Sequence, residues 1–356
     1  MPFEEHFVQY ENGQKTIFYL ASGPEKGPLL IFVHGWPDIS LLWSHQLECF
    51  ASLGFRVVAP DLPGHGRSTA NRVFEDYSQE KIVLSMKAVL ADTGRSDAIW
   101  IAHDWGCGTI GTLCATSPAM VRGAVFMAVP YRTIEMGLQE LLTTVNRDIY
   151  PADKYPFGQW SYQVHYQRAF ESITAFYDSE PEGWLKLCHR PGDAGNLYLP
   201  SHTARTAEDG GPGGGPSKLP KPPAATSIPQ SLLDGDKLAA YGEAFKKTGF
   251  YGTNALYMNH DRNREYNTTQ AVNNARLDFP VLFIEAKYDT VCAVHTTSIA
   301  EQQRKLCSSL TEVIVEAGHW LQLEKPHEVN AALAKWLVNH LGDHWPSPTV
   351  SLERSI

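Results

Sequence analysis

The stretch IAHDWGCG, residues 101–108, sets a carboxylate where the surrounding pattern leads a reader to expect a serine. The residues before it, SDAIWIAHD (96–104), are apolar and β-prone, while Gly106, Gly108 and the helix-like TIGTLCATS follow. Asp104 therefore stands on a sharp strand-to-helix turn, the local geometry that lifts a nucleophile above the end of a sheet. By itself the octapeptide suits an aspartate capping the next helix equally well. The rest of the chain has to decide between the two.

Outward from that turn, residues 8–130 alternate β-prone and helix-prone stretches. HFVQY and TIFYLAS read as an antiparallel pair, and PLLIFVHG, FRVVAPD, AIWIAHD and GAVFMAVP are short apolar runs, each ended by a turn residue. Continuous apolar strands separated by helices imply a parallel sheet covered on both faces. The alternation resumes at FPVLFIEAKYD (279–289) and TEVIVEAGHW (311–320), with HEVNAALAKWLVNHL as a closing helix. The intervening segment is richer in Tyr, Trp, Gln and Asn and reads mainly as helix. It includes EDGGPGGGPSKLPKPP (208–223), whose Gly and Pro content implies mobile or extended surface chain. The expected fold is α/β, a mostly parallel central sheet with helices on both faces and an inserted, mainly helical cap. Residues 1–130 form the first part of the core, 131–270 the cap, and 271–356 the second part of the core.

Composition narrows the function. The chain has 356 residues, is 43% hydrophobic and 19% charged, and carries a formal charge of −9 without a basic run. That is ample for an enzyme-sized core and argues against nucleic acid or an anionic membrane as partner. MPFEEHFVQY has neither the basic start nor the apolar core of a signal peptide, and no apolar run reaches membrane-spanning length, so a cytoplasmic location is expected. The six cysteines, at 49, 107, 114, 188, 292 and 307, lack zinc-site or disulfide-framework spacing and read as buried free thiols; no metal is expected. GPGGGP lacks the following Lys-Ser/Thr of a phosphate loop and reads as linker.

In an open parallel sheet the working groups lie at the carboxyl ends of the strands. Those ends are HGWPD (34–38), DLPGHG (61–66), HDWG (103–106), KYDT (287–290) and AGHW (317–320). Asp104, Asp289 and His319 thus follow in the order nucleophile, acid, histidine, which is the order of α/β-hydrolase triads with Asp in the serine position. Lone histidines such as His45, His189 and His260 read as surface or satisfied core residues. His34 and His103, beside the site, read as structural hydrogen-bonding groups.

With these motifs in view the chain resembles the α/β-hydrolase-fold epoxide hydrolases over nearly all its length. WSYQVHYQ places one of that family's two cap tyrosines at Tyr162, and AFKKTGFYGTNALYMN places the other at Tyr257. His165 and Tyr166 depart from the family's usual residues, and the Gly/Pro loop is longer. The resemblance implies conversion of an epoxide and water to a vicinal diol, without organic cofactor, through an ester on Asp104 that is hydrolysed by water activated by His319 and Asp289. It implies Tyr162 and Tyr257 as donors to the ring oxygen and the backbone N–H groups of Trp36 and Trp105 as oxyanion hole, with a cis Trp36–Pro37 bond. It gives Trp36, Pro37, Trp105, Gln163 and Trp320 as pocket wall for an apolar or aryl epoxide. Two other readings stand beside it: a haloalkane dehalogenase using the same aspartate, and a non-catalytic hydrolase-fold receptor. Trp36 occupies the place where dehalogenases commonly carry a halide-binding Asn, and the complete triad speaks against a receptor. Monomer and homodimer are both open.

Overall fold

The computed structural model describes residues 3–346; residues 1, 2 and 347–356, assigned above to the two ends of the core, lie outside the described residues. Eight strands form one sheet: β1 (Glu4–Tyr10), β2 (Lys15–Ser22), β3 (Leu29–Val33), β4 (Arg56–Pro60), β5 (Ala98–His103), β6 (Val121–Met127), β7 (Leu277–Ala286) and β8 (Cys307–Val315). Their order is β1-β2-β4-β3-β5-β6-β7-β8. β1 and β2 pair antiparallel, as does β2 with β4, and the remaining pairs are parallel.

The unbroken apolar runs follow from this arrangement. Along β3, Leu29, Ile31 and Val33 enter one core while Leu30 and Phe32 enter the other, because successive side chains leave a strand on opposite faces. Helices Ser44–Ser52 and Pro326–His340 cover the second core through Leu47, Phe50, Leu333 and Leu337; helices Gln79–Asp92 and Trp105–Thr116 cover the first through Ile82, Met86, Ile110 and Leu113. A strand packed on both faces has no place for the polar alternation of a half-exposed sheet.

Between β6 and β7 the chain leaves the sheet and forms a helical layer over the strand ends. It includes helices Ser161–Arg168, Phe170–Ser179, Pro181–Cys188, Gly235–Thr248, Tyr251–Ala255 and His260–Thr269. The Gly/Pro segment departs from the loose surface chain expected of it. It folds into tight turns, with Gly211 N–H bonded to Thr206 C=O at 2.8 Å and Gly215 N–H to Gly211 C=O at 3.2 Å. At its start the Ser161 hydroxyl donates to Glu208 Oε2 at 2.7 Å and accepts from Ala207 N–H at 2.9 Å. Glycine freedom at φ > 0 lets this chain turn back on itself instead of trailing through solvent.

The cysteines are all unpaired, but Cys49 and Cys188 are only partly buried, which corrects the expectation of six buried thiols. Cys49 lies within helix Ser44–Ser52 and Cys188 ends helix Pro181–Cys188, and both pack against the second core from its edge. Among the described residues no helix is long and apolar enough to cross a membrane.

Candidate active site

Asp104 follows the last residue of β5 and precedes helix Trp105–Thr116. Its φ of 53° and ψ of −127° lie in a region that a non-glycine residue occupies at a cost of about 1–3 kcal/mol. Its side chain makes no capping bond to the helix. The carboxylate instead turns away, and Oδ1 accepts the backbone N–H of Trp36 at 2.6 Å. That settles the ambiguity of the octapeptide: the position is an N-cap by location, while the side chain is withheld from capping.

The turn depends on two close approaches. Gly106 sits against the backbone at the end of β3, where a Cβ would come within 2.7 Å of the His34 carbonyl oxygen. Gly35 faces the Asp104 carboxylate, and a Cβ there would overlap that carboxylate and fall 2.5 Å from the Trp105 nitrogen. Trp105 opens its helix, so its N–H has no helical acceptor. The Trp36 amide thus holds one carboxylate oxygen, the Trp105 nitrogen lies on the same side of Gly35 as that oxygen, and the Trp36–Pro37 bond is cis as expected.

On the other side of Asp104 stands His319, its Nε2 3.5 Å from Asp104 Oδ2 and its Nδ1 2.5 Å from Asp289 Oδ2. Asp289, from the loop after β7, accepts the N–H groups of Val291 and Cys292 at 2.8 and 3.0 Å on its other oxygen. Burial disfavours the charged imidazolium, but Asp289 and Asp104 outweigh it and hold His319 above its ordinary range. Burial likewise raises Asp289, yet the His319 charge and the hydrogen bonds it accepts draw it below the usual carboxylate range.

The cap brings Tyr162 and Tyr257 together above this pair, ring centroids 5.7 Å apart. Tyr257 also packs edge-on against Trp105 at 5.1 Å and against Trp36 at 6.1 Å. Both phenols are pushed well above their ordinary range, chiefly by burial, with the Asp104 charge adding to it. The adjacent Gln163 is buried and donates to the Tyr162 oxygen at 3.0 Å. Of the other expected pocket residues, Pro37 is buried beside Trp36, and the Trp320 ring lies 4.8 Å from His319 with its indole N–H committed to Asp38.

His34 and His103 take structural bonds. His34 bonds the Gly35 carbonyl at 2.9 Å and accepts Leu62 N–H at 3.0 Å, and His103 bonds the His319 carbonyl at 2.8 Å. His260 departs from the satisfied-core reading: it is buried against Trp105, and neither ring nitrogen finds a protein partner among the described residues.

Four contributors escaped the motif reading. Gly35 stood in HGWPD without a role. Asn254 accepts the Trp36 indole N–H at 3.1 Å. Glu324 accepts the N–H groups of Gly318, next to the histidine, and of Gly192 in the cap, at 2.8 and 3.0 Å. Most extensive is the fully buried Asp38: Oδ1 receives His189 at 2.9 Å and Tyr241 at 2.9 Å, and Oδ2 receives Trp320 at 3.0 Å. His189 also faces the Leu185 carbonyl at 2.8 Å, a geometry an imidazole satisfies fully only by donating from both nitrogens. Burial favours neutral Asp38, but His189 outweighs it and holds the carboxyl well below its usual range. An HGWPD motif carries a visible aspartate; its partners give no local signal.

The comparisons agree with this geometry. Epoxide hydrolase A of Mycobacterium tuberculosis is 28% identical over 326 residues, covering 89% of this chain and 92% of its own. Bifunctional epoxide hydrolase 2 of Sus scrofa is 27% identical over 87% of this chain, which spans 51% of that longer protein. The crystal structure of epoxide hydrolase A from Mycobacterium thermoresistibile superposes with a TM-score of 0.74 at 26% identity, over 94% of this chain and 98% of that one. Residues 28–326 match the family described as alpha/beta hydrolase fold. An eight-stranded, mostly parallel sheet with an aspartate on its central turn, joined to these similarities, makes this chain a member of the α/β-hydrolase fold family.

Proposed function

We propose that this protein hydrolyses epoxides to vicinal diols. The observation that carries the reading is the pair of cap phenols, Tyr162 and Tyr257, held over a carboxylate that is free of capping duty. The names of the similar proteins support it. The division of labour is a core of 1–130 and 271–356 and a cap of 131–270, with a cytoplasmic location supported by six unpaired cysteines.

The steps follow from the groups present. Asp104 attacks an epoxide carbon from behind; the C–O bond of the ring breaks, an ester forms, and a phenol supplies a proton to the departing alkoxide. A carboxylate needs no base for this step. Esterification removes the Asp104 charge, so His319 loses one of the two carboxylates that hold its proton, passes that proton to the phenolate left by the first step, and is a base when the second step requires one. It then takes a proton from water while Asp289 fixes its orientation. Water attacks the ester carbonyl, whose oxygen gains negative charge against the Trp36 and Trp105 amides. Collapse releases the diol.

Diol formation from styrene oxide tests the activity. One turnover in oxygen-18 water, with enzyme in excess, tests the mechanism: the expected result is largely unlabelled diol and a heavy oxygen in the peptide containing Asp104. His319→Gln removes the base for the second step alone and should accumulate a protein heavier by one epoxide. Labelled diol in the first turnover, with no adduct on that variant, overturns the ester.

A further inference from the structure

Gln163 and Tyr162 are neighbours on helix Ser161–Arg168, where consecutive side chains ordinarily diverge by about 100°. Here they meet: Gln163 Nε2 lies 3.0 Å from the Tyr162 hydroxyl. The amide is 1% exposed, and its Oε1 has no protein partner among the described residues. Buried Gln46, by contrast, donates to the Gln322 carbonyl and the Asn330 side chain. Gln163 spends its only side-chain bond on a phenol.

We propose that Gln163 is a positioning residue that makes Tyr162, and not Tyr257, the phenol that gives its proton to the opening epoxide. The proposal rests on the epoxide reading above. A phenol oxygen has one proton to donate and lone pairs that accept. The Gln163 N–H occupies a lone pair of Tyr162, which leaves the O–H for the substrate. As the ring C–O bond breaks and the C–O bond to Asp104 forms, the Tyr162 proton passes to the alkoxide and negative charge develops on the phenol oxygen, already facing an N–H. A donor in place before the charge arrives stabilises the transition state more than the ground state. Between the two halves the His319 proton passes to the Tyr162 phenolate; the attacking water then gives one proton to His319 and its other to the departing ester oxygen, so epoxide and water balance against diol.

Tyr257 has a different setting. It is ringed by Trp105, Trp36, Tyr162 and Tyr166, with the Tyr166 ring at 4.7 Å and an interplanar angle of 88°. Burial raises both phenols, and Cys292 and Asp104 add to it at Tyr162. Gln163 and the Tyr257 hydroxyl draw Tyr162 back down, whereas Tyr162 pushes Tyr257 up. The Gln163 amide reaches the Tyr162 hydroxyl, which makes Tyr162 the acid and Tyr257 an orienting donor.

A double-mutant cycle tests this. In pre-steady-state alkylation by styrene oxide, Gln163→Leu should slow alkylation by roughly tenfold or more, the size expected when a hydrogen bond to a developing charge is lost, with little change in substrate Kd. The same loss should recur in a Tyr257→Phe background and vanish in a Tyr162→Phe background. Ultraviolet titration, which needs no substrate, should place the phenolate transition of Tyr162 higher in Gln163→Leu/Tyr257→Phe than in Tyr257→Phe alone. Gln163→Glu, which keeps the shape but presents a carboxylate, should be slower still near neutral pH and partly recover in acid as it protonates. Equal losses in both tyrosine backgrounds, an unmoved phenolate transition, or unchanged alkylation by Gln163→Leu overturns the assignment while the parent still forms diol. A parent that forms no diol overturns the epoxide reading and this assignment together.

Discussion

Asp104 shows at the scale of one residue how backbone strain is put to use. A positive φ would be relieved by glycine, but only a side chain can carry the oxygen that the proposed ester requires. The opposite requirement falls on Gly35, where any Cβ intrudes on that carboxylate and on the Trp105 amide. Gly35→Ala should therefore displace one of the two backbone donors. The expected loss in kcat is on the order of 10²–10³, as for removal of one oxyanion donor. Circular dichroism should remain that of the parent. A near-normal kcat in folded Gly35→Ala would show that neither amide is needed where it stands.

At the scale of elements, Asp38 joins parts of the molecule that arrive separately. Its loop follows β3; His189 stands just beyond helix Pro181–Cys188 and Tyr241 lies on helix Gly235–Thr248; Trp320 adjoins His319. All four groups converge with no water-exposed side for the carboxylate, which is 0% exposed. Such an arrangement makes loss of one partner more costly than the bond alone. His189→Phe strands a buried charge and should cost about 3–5 kcal/mol in urea unfolding. Tyr241→Phe removes one neutral donor while His189 remains, and should cost about 1 kcal/mol. Equal small effects from the two variants would show that the charge is not held where the contacts place it.

At the scale of the whole molecule, buried histidines set the acid limit. His34, His65, His103 and His260 are 3% exposed or less. Burial drives His34, His103 and His260 down to about 4 and His65 to about 3. In the unfolded chain each titrates near pH 6.5. Because the folded values are depressed, the unfolded chain binds more protons in between. Their contribution is then fully present above about pH 6.5 and is lost as pH falls through about 4. The melting temperature should decline progressively across that window. His260→Phe, which removes a ring without protein hydrogen-bond partners, should take about one proton out of the slope. A melting temperature that stays level from pH 6.5 to 4 would contradict neutral burial of these rings.

The sheet, the turn that presents Asp104 and the order Asp104, Asp289, His319 were legible in the chain because each rests on a local pattern. Leu29 to Val33 is apolar without interruption, and a strand covered on both faces requires that. Glycines after Asp104 announce a tight crossing of backbones, and the turn residue ending each strand marks where a working group can stand. Resemblance then carried Tyr162 and Tyr257, whose neighbouring residues are distinctive. The partners of Asp38 were not legible: they lie 151, 203 and 282 residues away, in segments with no periodicity that points to it. The turns of the Gly/Pro segment were missed because composition reports conformational freedom and not the backbone acceptors that use it. The bond between Gln163 and Tyr162 was hidden by the opposite circumstance, since adjacency along a helix ordinarily separates side chains. Hydrophobic burial is paid out residue by residue and leaves its period in the chain, whereas a buried polar group chooses its partner by position in space, and only the folded cap and core together supply that position.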